Sequence, residues 1–184
     1  SRLIAKYLKD NDRRVVLIDS NKSNISRAKL EGLEAIECDI YENDLLENIE
    51  LNDMGYLLAL TGSNTINEYA LNKFKADFGE EGAFRLISPE EMRDSENNPE
   101  QGLFSHSDDF INISEVVRDY PMINEVEIKS REHFEELIDA THKEIKAIPL
   151  FLKDLKDEIH ILPADSSKME VEPGYKLMYL GKKI

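Results

Sequence analysis

The sequence predicts a mixed α/β fold in which a doubly wound parallel sheet is followed by a small α+β lobe. Apolar runs without polar alternation, such as residues 15–18 and 56–60, are typical of strands buried on both faces of a parallel sheet. Segments with helical spacing alternate with these runs, and the loops between them are short. Beyond Pro121 the predicted strands are short and the last three follow one another without a helix between them, which indicates the second lobe.

The first 95 residues alternate regularly between helix and strand. Asn11 and Asp12 stop the first helix, Ser20 or Asn21 can cap the second, and Gly32 ends it. The predicted order is a helix over 3–8, a strand over 15–18, a helix over 25–30, a strand over 35–38, a short helix over 41–51, a strand over 56–60, a helix over 66–74, a strand over 83–87 and a helix opening at 88–91.

Residues 96–121 are predicted to link the two lobes. A stretch rich in Asp, Ser, Asn, Pro and Gly over 94–102 reads as a connector, and 110–120 as a crossover helix halted by Pro121. The sequence therefore divides into a first lobe over 1–95, the connector and crossover helix over 96–121, and a second lobe over 122–184. The second lobe has a strand at 126–128, a helix opening at 130–133, and strands at 147–152, 158–162 and 176–180.

Composition excludes several classes of function. The net charge of −15, spread evenly along the 184 residues, argues against nucleic acid and against direct binding to anionic lipid. A single cysteine, Cys38, excludes a disulfide framework and suits a reducing compartment. No apolar run approaches the length that crosses a membrane.

An acidic residue, Asp19, ends the first predicted strand at the edge where open α/β sheets bind ligands. In dinucleotide-binding sheets such an acid binds the ribose hydroxyls, about 20 residues after a glycine-rich phosphate loop. Counting back from Asp19 places that loop before Ser1, so we expect the first strand and the glycine loop of a Rossmann-like unit to be missing. The amides of residues 1–3 alone would then meet a pyrophosphate, and nucleotide binding should be weak. We also expect residues of another chain, or an unusual strand pairing, to fill the gap.

Several segments of the sequence resemble the regulator-of-potassium-conductance domains, also called TrkA-N or KTN modules. In the first lobe the resemblance rests on residues 15–21, on 37–40, and on 56–64 with Asn67 in the following helix. The second lobe is similar to their TrkA-C lobe, although Gly174-Tyr175 stands where the family often has Gly-Asp. The segments of the second lobe that carry the similarity are 148–150, 161–163, 173–177 and 180–181.

The resemblance implies a cytosolic regulatory domain that gates ion transport. Such modules bind NAD(H), AMP or ATP at the strand ends of the first lobe, pair as homodimers, and pass a ligand-dependent geometry to a membrane-spanning transporter domain in the same or a separate chain. We favour a monovalent cation/proton antiporter, Na⁺/H⁺ or K⁺/H⁺, as the parent protein, working at the cytoplasmic face of the cell membrane. The alternatives are a free-standing subunit of a Trk-type potassium uptake system and an NAD-dependent dehydrogenase. The dehydrogenase is disfavoured because the second lobe is small and offers no evident proton relay.

The candidate nucleotide-binding residues follow three strands. Asp19 and Ser20 follow the first predicted strand, and Asp19 would accept hydrogen bonds from the ribose or, alternatively, only support the next helix. The resemblance implies that Asp39 and Ile40 flank the adenine ring. The remaining pair, Thr61 and Gly62, follows the strand over 56–60, where a small residue allows close approach of the ligand, or simply allows the helix to begin.

No catalytic residue and no metal site are predicted. We expect Cys38 to be an unreactive core residue. The Ser, His and Asp residues over 105–109 have the composition of a catalytic triad, and we expect them to be a chance grouping in a polar connector. The Asp108-Asp109 pair alone is a weak cation site. The four histidines show no metal-ligand spacing and are expected to be surface or packing residues: His106, His133, His142 and His160.

Overall fold

The computed structural model describes residues 1–42, 54–79, 82–88, 90–91, 102–104, 109–144 and 146–184. Residues 43–51 of the helix predicted over 41–51, residues 94–101 of the connector, and residues 105–108 of the Ser, His and Asp grouping lie outside these ranges. Among the helices that are described, none is long and apolar enough to cross a membrane.

The first lobe contains parallel strands with helices between them. Strand β1 pairs in parallel with β2, with Asp19 opposite Glu37, while β3, β4 and β5 form a second parallel group in that order. These elements are α1 (Arg2–Asp10), β1 (Val16–Asp19), α2 (Lys22–Leu30), β2 (Glu34–Glu37), β3 (Leu57–Ala59), α3 (Asn64–Phe78), β4 (Ala83–Leu86) and β5 (Gly102–Leu103).

The helices begin where side-chain caps satisfy their first amides. Asn21 caps α2 by accepting hydrogen bonds from the amides of Ser23 and Asn24, at 2.9 and 3.3 Å. Ser63 caps α3 by accepting from the amide of Ile66 at 3.4 Å. These caps are local sequence signals, so both starts could be predicted to within a few residues.

Strand β5 was not predicted. The connector was expected to extend to residue 102, yet Gly102–Leu103 pairs in parallel with Arg85 and Leu86 of β4. Leu103 also forms an antiparallel bridge to Pro163 of the second lobe. A strand of two residues has no periodicity that a sequence pattern can show, and its partners on both sides are distant in sequence.

Strands β1 and β3 are not joined by a backbone ladder within the described residues. They nevertheless belong to one apolar cluster, because Val16 and Ile18 of β1 and Leu57 of β3 all pack around Phe74 of α3. A continuous sheet that contains both β1 and β3 would require a further strand between them, parallel to both. The expectation that residues from elsewhere fill this position stays a prediction.

The second lobe is an antiparallel sheet covered by a helix. The strand order is β6-β9-β7-β8, and a register shift between Pro149 and Phe151 interrupts the pairing of β7 with β9. The crossover helix α4 (Phe110–Asp119) leads into β6 (Ile123–Glu127), α5 (Arg131–Lys143), β7 (Ala147–Lys153), β8 (Ile159–Ile161) and β9 (Lys176–Gly181). The predicted class, a Rossmann-like parallel lobe followed by a small α+β lobe, is confirmed.

The largest apolar core contains residues of both lobes. Phe151 of β7 is fully buried in it, stacked on Tyr7 of α1 with ring centroids 6.5 Å apart and edge-on to Phe104 at 6.2 Å. Leu86 and Met178 are buried in the same cluster. The two lobes are therefore packed against each other over a shared interior rather than joined only by the connector.

Candidate functional site

Asp19 lies at the carboxyl end of β1, as predicted, and is half-buried. One carboxylate oxygen accepts a hydrogen bond from the Asn21 amide at 2.8 Å, and the other accepts from Asn24 Nδ2 at 2.8 Å. An ionised carboxylate has about four acceptor positions, so these two bonds orient the group and leave two positions for a ligand. Asn21, and not Ser20, caps α2, and Ser20 is exposed in the bend between β1 and the helix.

Asp39 and Ile40 follow β2, the strand next to β1. The carboxylate of Asp39 is exposed and accepts a hydrogen bond from the Tyr41 amide at 3.0 Å. The Ile40 side chain packs in the cluster around Phe74, and its carbonyl oxygen accepts from Lys73 Nζ at 2.8 Å. The ammonium group of Lys73 thus ties this loop to α3 and fixes the position of the two residues predicted to flank a base.

Thr61 is fixed by a buried asparagine of α3. Asn67 is only 2% exposed, and its side-chain oxygen accepts from the Thr61 amide at 3.0 Å and from the Thr61 hydroxyl at 2.7 Å. Its amide nitrogen donates to the Thr61 carbonyl at 3.0 Å. Asn67 was noted in the sequence only as part of the family resemblance. A polar residue on the buried face of an amphipathic helix is the signal that marks such a structural role.

A neighbouring side chain occupies the space beside Gly62, where a larger residue would place its Cβ. A Cβ at this position would lie 3.0 Å from Cδ1 of Phe110, the first residue of α4. The sequence offers two reasons for this glycine, close approach of a ligand and a simple start of the helix. The contact with Phe110 is a third reason for a small residue, and the role of Gly62 in ligand binding stays a prediction.

We expect Gly62→Ala to lower the free energy of unfolding by about 1 kcal/mol, because the Phe110 ring must shift by a few tenths of an ångström. In a Phe110→Ala background the same substitution should cost little. Urea denaturation of the two single variants and the double variant forms a cycle that measures this coupling. Equal costs in both backgrounds would show that Phe110 does not determine the residue at position 62.

A partly buried ion pair lies beside the start of α3, because the Glu91 side chain stays 25% exposed. Arg85 of β4 is 6% exposed and donates to Asn64 Oδ1 at 3.0 Å and to Glu91 Oε2 at 2.9 Å. The hydrogen bonds from Arg85, helped by those from Ser88, lower the pKa of Glu91 to about 2. Glu68 lies 3.8 Å from the same guanidinium group. This pair links the turn after β4 to the first turn of α3.

The Cys38 thiol is half-buried and points along the loop after β2. Its sulfur lies 3.3 Å from the carbonyl oxygen of Asp39 and 3.8 Å from a carboxylate oxygen of Glu42. Partial burial and the nearby carboxylates raise the pKa of the thiol above its usual value. Because the thiolate is the reactive form, this environment favours an unreactive cysteine.

Residues 1–89 match the family model of the TrkA-N domain. The match covers the elements that carry Asp19, Asp39 and Thr61, so the first lobe is similar to that domain in the region of the candidate site. No curated protein matches this chain. The likeness of the second lobe to a TrkA-C lobe stays a prediction.

Proposed function

We propose that this chain is a nucleotide-sensing regulatory domain of a monovalent cation transport system, and specifically of a cation/proton antiporter. The match of residues 1–89 to the TrkA-N domain supports a regulatory role in potassium transport or a related system. The observation that carries the proposal is the half-buried Asp19 carboxylate at a strand end, held by two local donors with acceptor capacity remaining. We propose binding without catalysis.

The ligand is NAD(H) or an adenine nucleotide such as AMP or ATP. Asp19 accepts hydrogen bonds from the vicinal ribose hydroxyls, and its negative charge disfavours a nucleotide with a 2′-phosphate. Asp39 and Ile40 flank the adenine ring, while Ser20, Thr61 and Gly62 line the neighbouring strand ends. The fixed loop positions support this arrangement, because Lys73 holds the loop after β2 and Asn67 holds the loop after β3.

Regulation follows from the shared core of the two lobes. A nucleotide that binds one arrangement of the lobes more tightly shifts the population toward it, by no more than its difference in affinity for the two arrangements. In a homodimer attached to a membrane-spanning transporter domain at the cytoplasmic face, that shift changes the force on the transport pathway. A free-standing Trk-type subunit would use the same site and differ only in its attachment.

Calorimetric titration with NADH, AMP and ATP tests the nucleotide site. We expect weak but saturable binding to the wild-type chain and a loss of about ten-fold or more for Asp19→Ala, since a hydrogen bond to a charged group contributes about 1.5–3 kcal/mol. Asn24→Ala is the comparison variant: it removes one of the two orienting donors and keeps the carboxylate, so it should weaken binding less than Asp19→Ala does. Unchanged affinity in Asp19→Ala, or no binding of any of the three nucleotides to the wild type at millimolar concentration, would contradict the proposal.

A further inference from the structure

The turn between β7 and β8 brings together three metal-ligating side chains that the sequence spacing did not indicate. Asp154, Glu158 and His160 each offer one ligand atom, and these atoms all lie within 4.8 Å of one another. The turn belongs to the second lobe, and none of the three residues is among those proposed to bind nucleotide. The three side chains come together only where the chain reverses, because Asp154 and His160 then face each other across the start of the hairpin.

The separation of the Asp154 and His160 ligand atoms suits a common metal ion. His160 Nε2 lies 3.0 Å from Asp154 Oδ2. These two atoms share a hydrogen bond, and a metal ion bound by both would replace the shared proton. Ligands about 2.0–2.1 Å from one zinc ion are roughly 3 Å apart from each other, so the two side chains need only a small adjustment to bind it. Glu158 is exposed and its carboxylate is within reach of both.

The turn itself holds Asp154 in the orientation that a ligand needs. Its Oδ1 accepts hydrogen bonds from the amides of Lys156 at 2.8 Å and Glu158 at 2.9 Å, which leaves Oδ2 directed at the imidazole. The Asp154 side chain is 11% exposed and that of His160 is 41% exposed. The aspartate is therefore packed against the protein, while the histidine leaves the site open to solvent. Hydrogen bonds that orient a ligating carboxylate typically strengthen metal binding.

The charges around the turn favour a cation. Two basic groups nearby already have partners: Lys153 Nζ lies 3.1 Å from Asp157 Oδ1 and 3.3 Å from Asn11 Oδ1, and Arg13 donates to the Asp157 carbonyl oxygen at 2.6 Å. Lys156 is exposed. Just before β9, the carboxylates of Glu170 and Glu172 add negative charge around Tyr175, close enough to act on it as Asp154 does.

We propose that Asp154, Glu158 and His160 form a binding site for a divalent transition-metal ion of the zinc class. Two carboxylates offset the charge of the ion, and a neutral imidazole with its proton on Nδ1 supplies the nitrogen ligand through Nε2. The nitrogen distinguishes this group from a purely acidic cluster, because imidazole favours Zn²⁺, Ni²⁺ or Cu²⁺ over Mg²⁺ and Ca²⁺. Three protein ligands leave at least one coordination position for water.

The site lies where the second lobe contacts the loop that follows α1. Arg13 Nη2 donates to the carbonyl oxygen of Asp157 at 2.6 Å, and Lys153 contacts Asn11 of the same loop. An ion bound by residues on both sides of the turn fixes the turn, and with it this contact between the lobes. Metal occupancy thereby becomes a second input, separate from the nucleotide site.

The test is a titration of the untagged, chelator-treated full chain with ZnCl₂, followed by calorimetry, and with CoCl₂, followed by visible absorbance. We expect one ion per chain with a Kd in the micromolar range or below, and Co²⁺ bands that Zn²⁺ abolishes. His160→Ala should weaken binding at least ten-fold, and Glu158→Gln, an exposed and isosteric change, should weaken it several-fold. His142→Ala, an exposed histidine of α5, is the matched control and should bind as the wild type does.

Absence of saturable binding to the wild-type chain would overturn the proposal, and so would equal affinity in wild type and His160→Ala. Equal weakening in His142→Ala would show dispersed surface binding and would also overturn it. Binding of Mg²⁺ and Ca²⁺ as tight as that of Zn²⁺ would contradict the role of the imidazole. Circular dichroism of each variant verifies that the fold is intact.

Discussion

Phe151→Ala is expected to lower the free energy of unfolding by about 3–5 kcal/mol. The side chain has no exposed surface, and its ring contacts Tyr7 of the first lobe and Phe104 at the end of β5. Its removal leaves a cavity at the junction of the lobes, lined on both sides by groups that cannot collapse fully. Urea denaturation followed by far-ultraviolet circular dichroism measures the change.

Leu155→Ala is the matched control for Phe151→Ala, because Leu155 is 64% exposed on the neighbouring turn and should cost less than about 1 kcal/mol. If the lobes share one core, Phe151→Ala destabilises both, and probes in either lobe report the same transition. Two separate transitions, of which only the one from the second lobe moves, would show that the lobes unfold independently.

Arg85→Met is expected to lower the free energy of unfolding by about 2–4 kcal/mol, because it leaves the Glu91 carboxylate without its partner. Met keeps most of the side-chain volume, so the loss reports the ion pair rather than a cavity. Arg118→Met is the matched control. Its partner is Asp119 and its own side chain is 69% exposed, so the substitution should change the free energy of unfolding little. Equal costs in the two variants would show that the partly buried pair does not stabilise the fold.

The same pair predicts a pH dependence. Glu91 has a folded pKa of about 2 against an ordinary value of 4.5, so its contribution is present above pH 4.5 and is lost as the pH falls toward 2. We expect wild type to lose about 2 kcal/mol more than Arg85→Met between pH 5 and pH 3, which is most of the roughly 3 kcal/mol that the whole pKa difference represents at about 1.4 kcal/mol per unit. Denaturant midpoints at pH 5, 4 and 3 measure the difference. Parallel curves for the two proteins would contradict the assignment.

The sequence predicts those parts of the fold that depend on local signals. The strands that contain Ile18 and Leu58 are apolar runs, and the helices that follow Asn21, Ser63 and Ser130 begin at capping side chains, so periodicity and caps locate them. Strand β5 has two residues and no such signal. Its position depends on Leu86 and on the bridge to Pro163, which only the assembled molecule brings together.

The candidate site is predictable in part for the same reason. A residue at a strand end, such as Asp19, can be placed from the sequence because the edge of the sheet is defined by where the apolar run stops. The groups that fix the site require tertiary geometry, as with Asn67 on Thr61 and Phe110 against Gly62. The turn at Asp154 is a further example, because its ligating atoms converge only in the folded hairpin.

The central claim, that a nucleotide binds at the carboxyl ends of β1, β2 and β3, is tested most directly by amide NMR of the ¹⁵N-labelled chain during titration with NADH. The predicted result is a set of saturable shifts confined to residues 19–24, 39–42 and 61–64, with the turn at 154–158 unchanged. Saturable shifts that leave residues 19–24 unmoved, or that centre on the second lobe, would contradict the account.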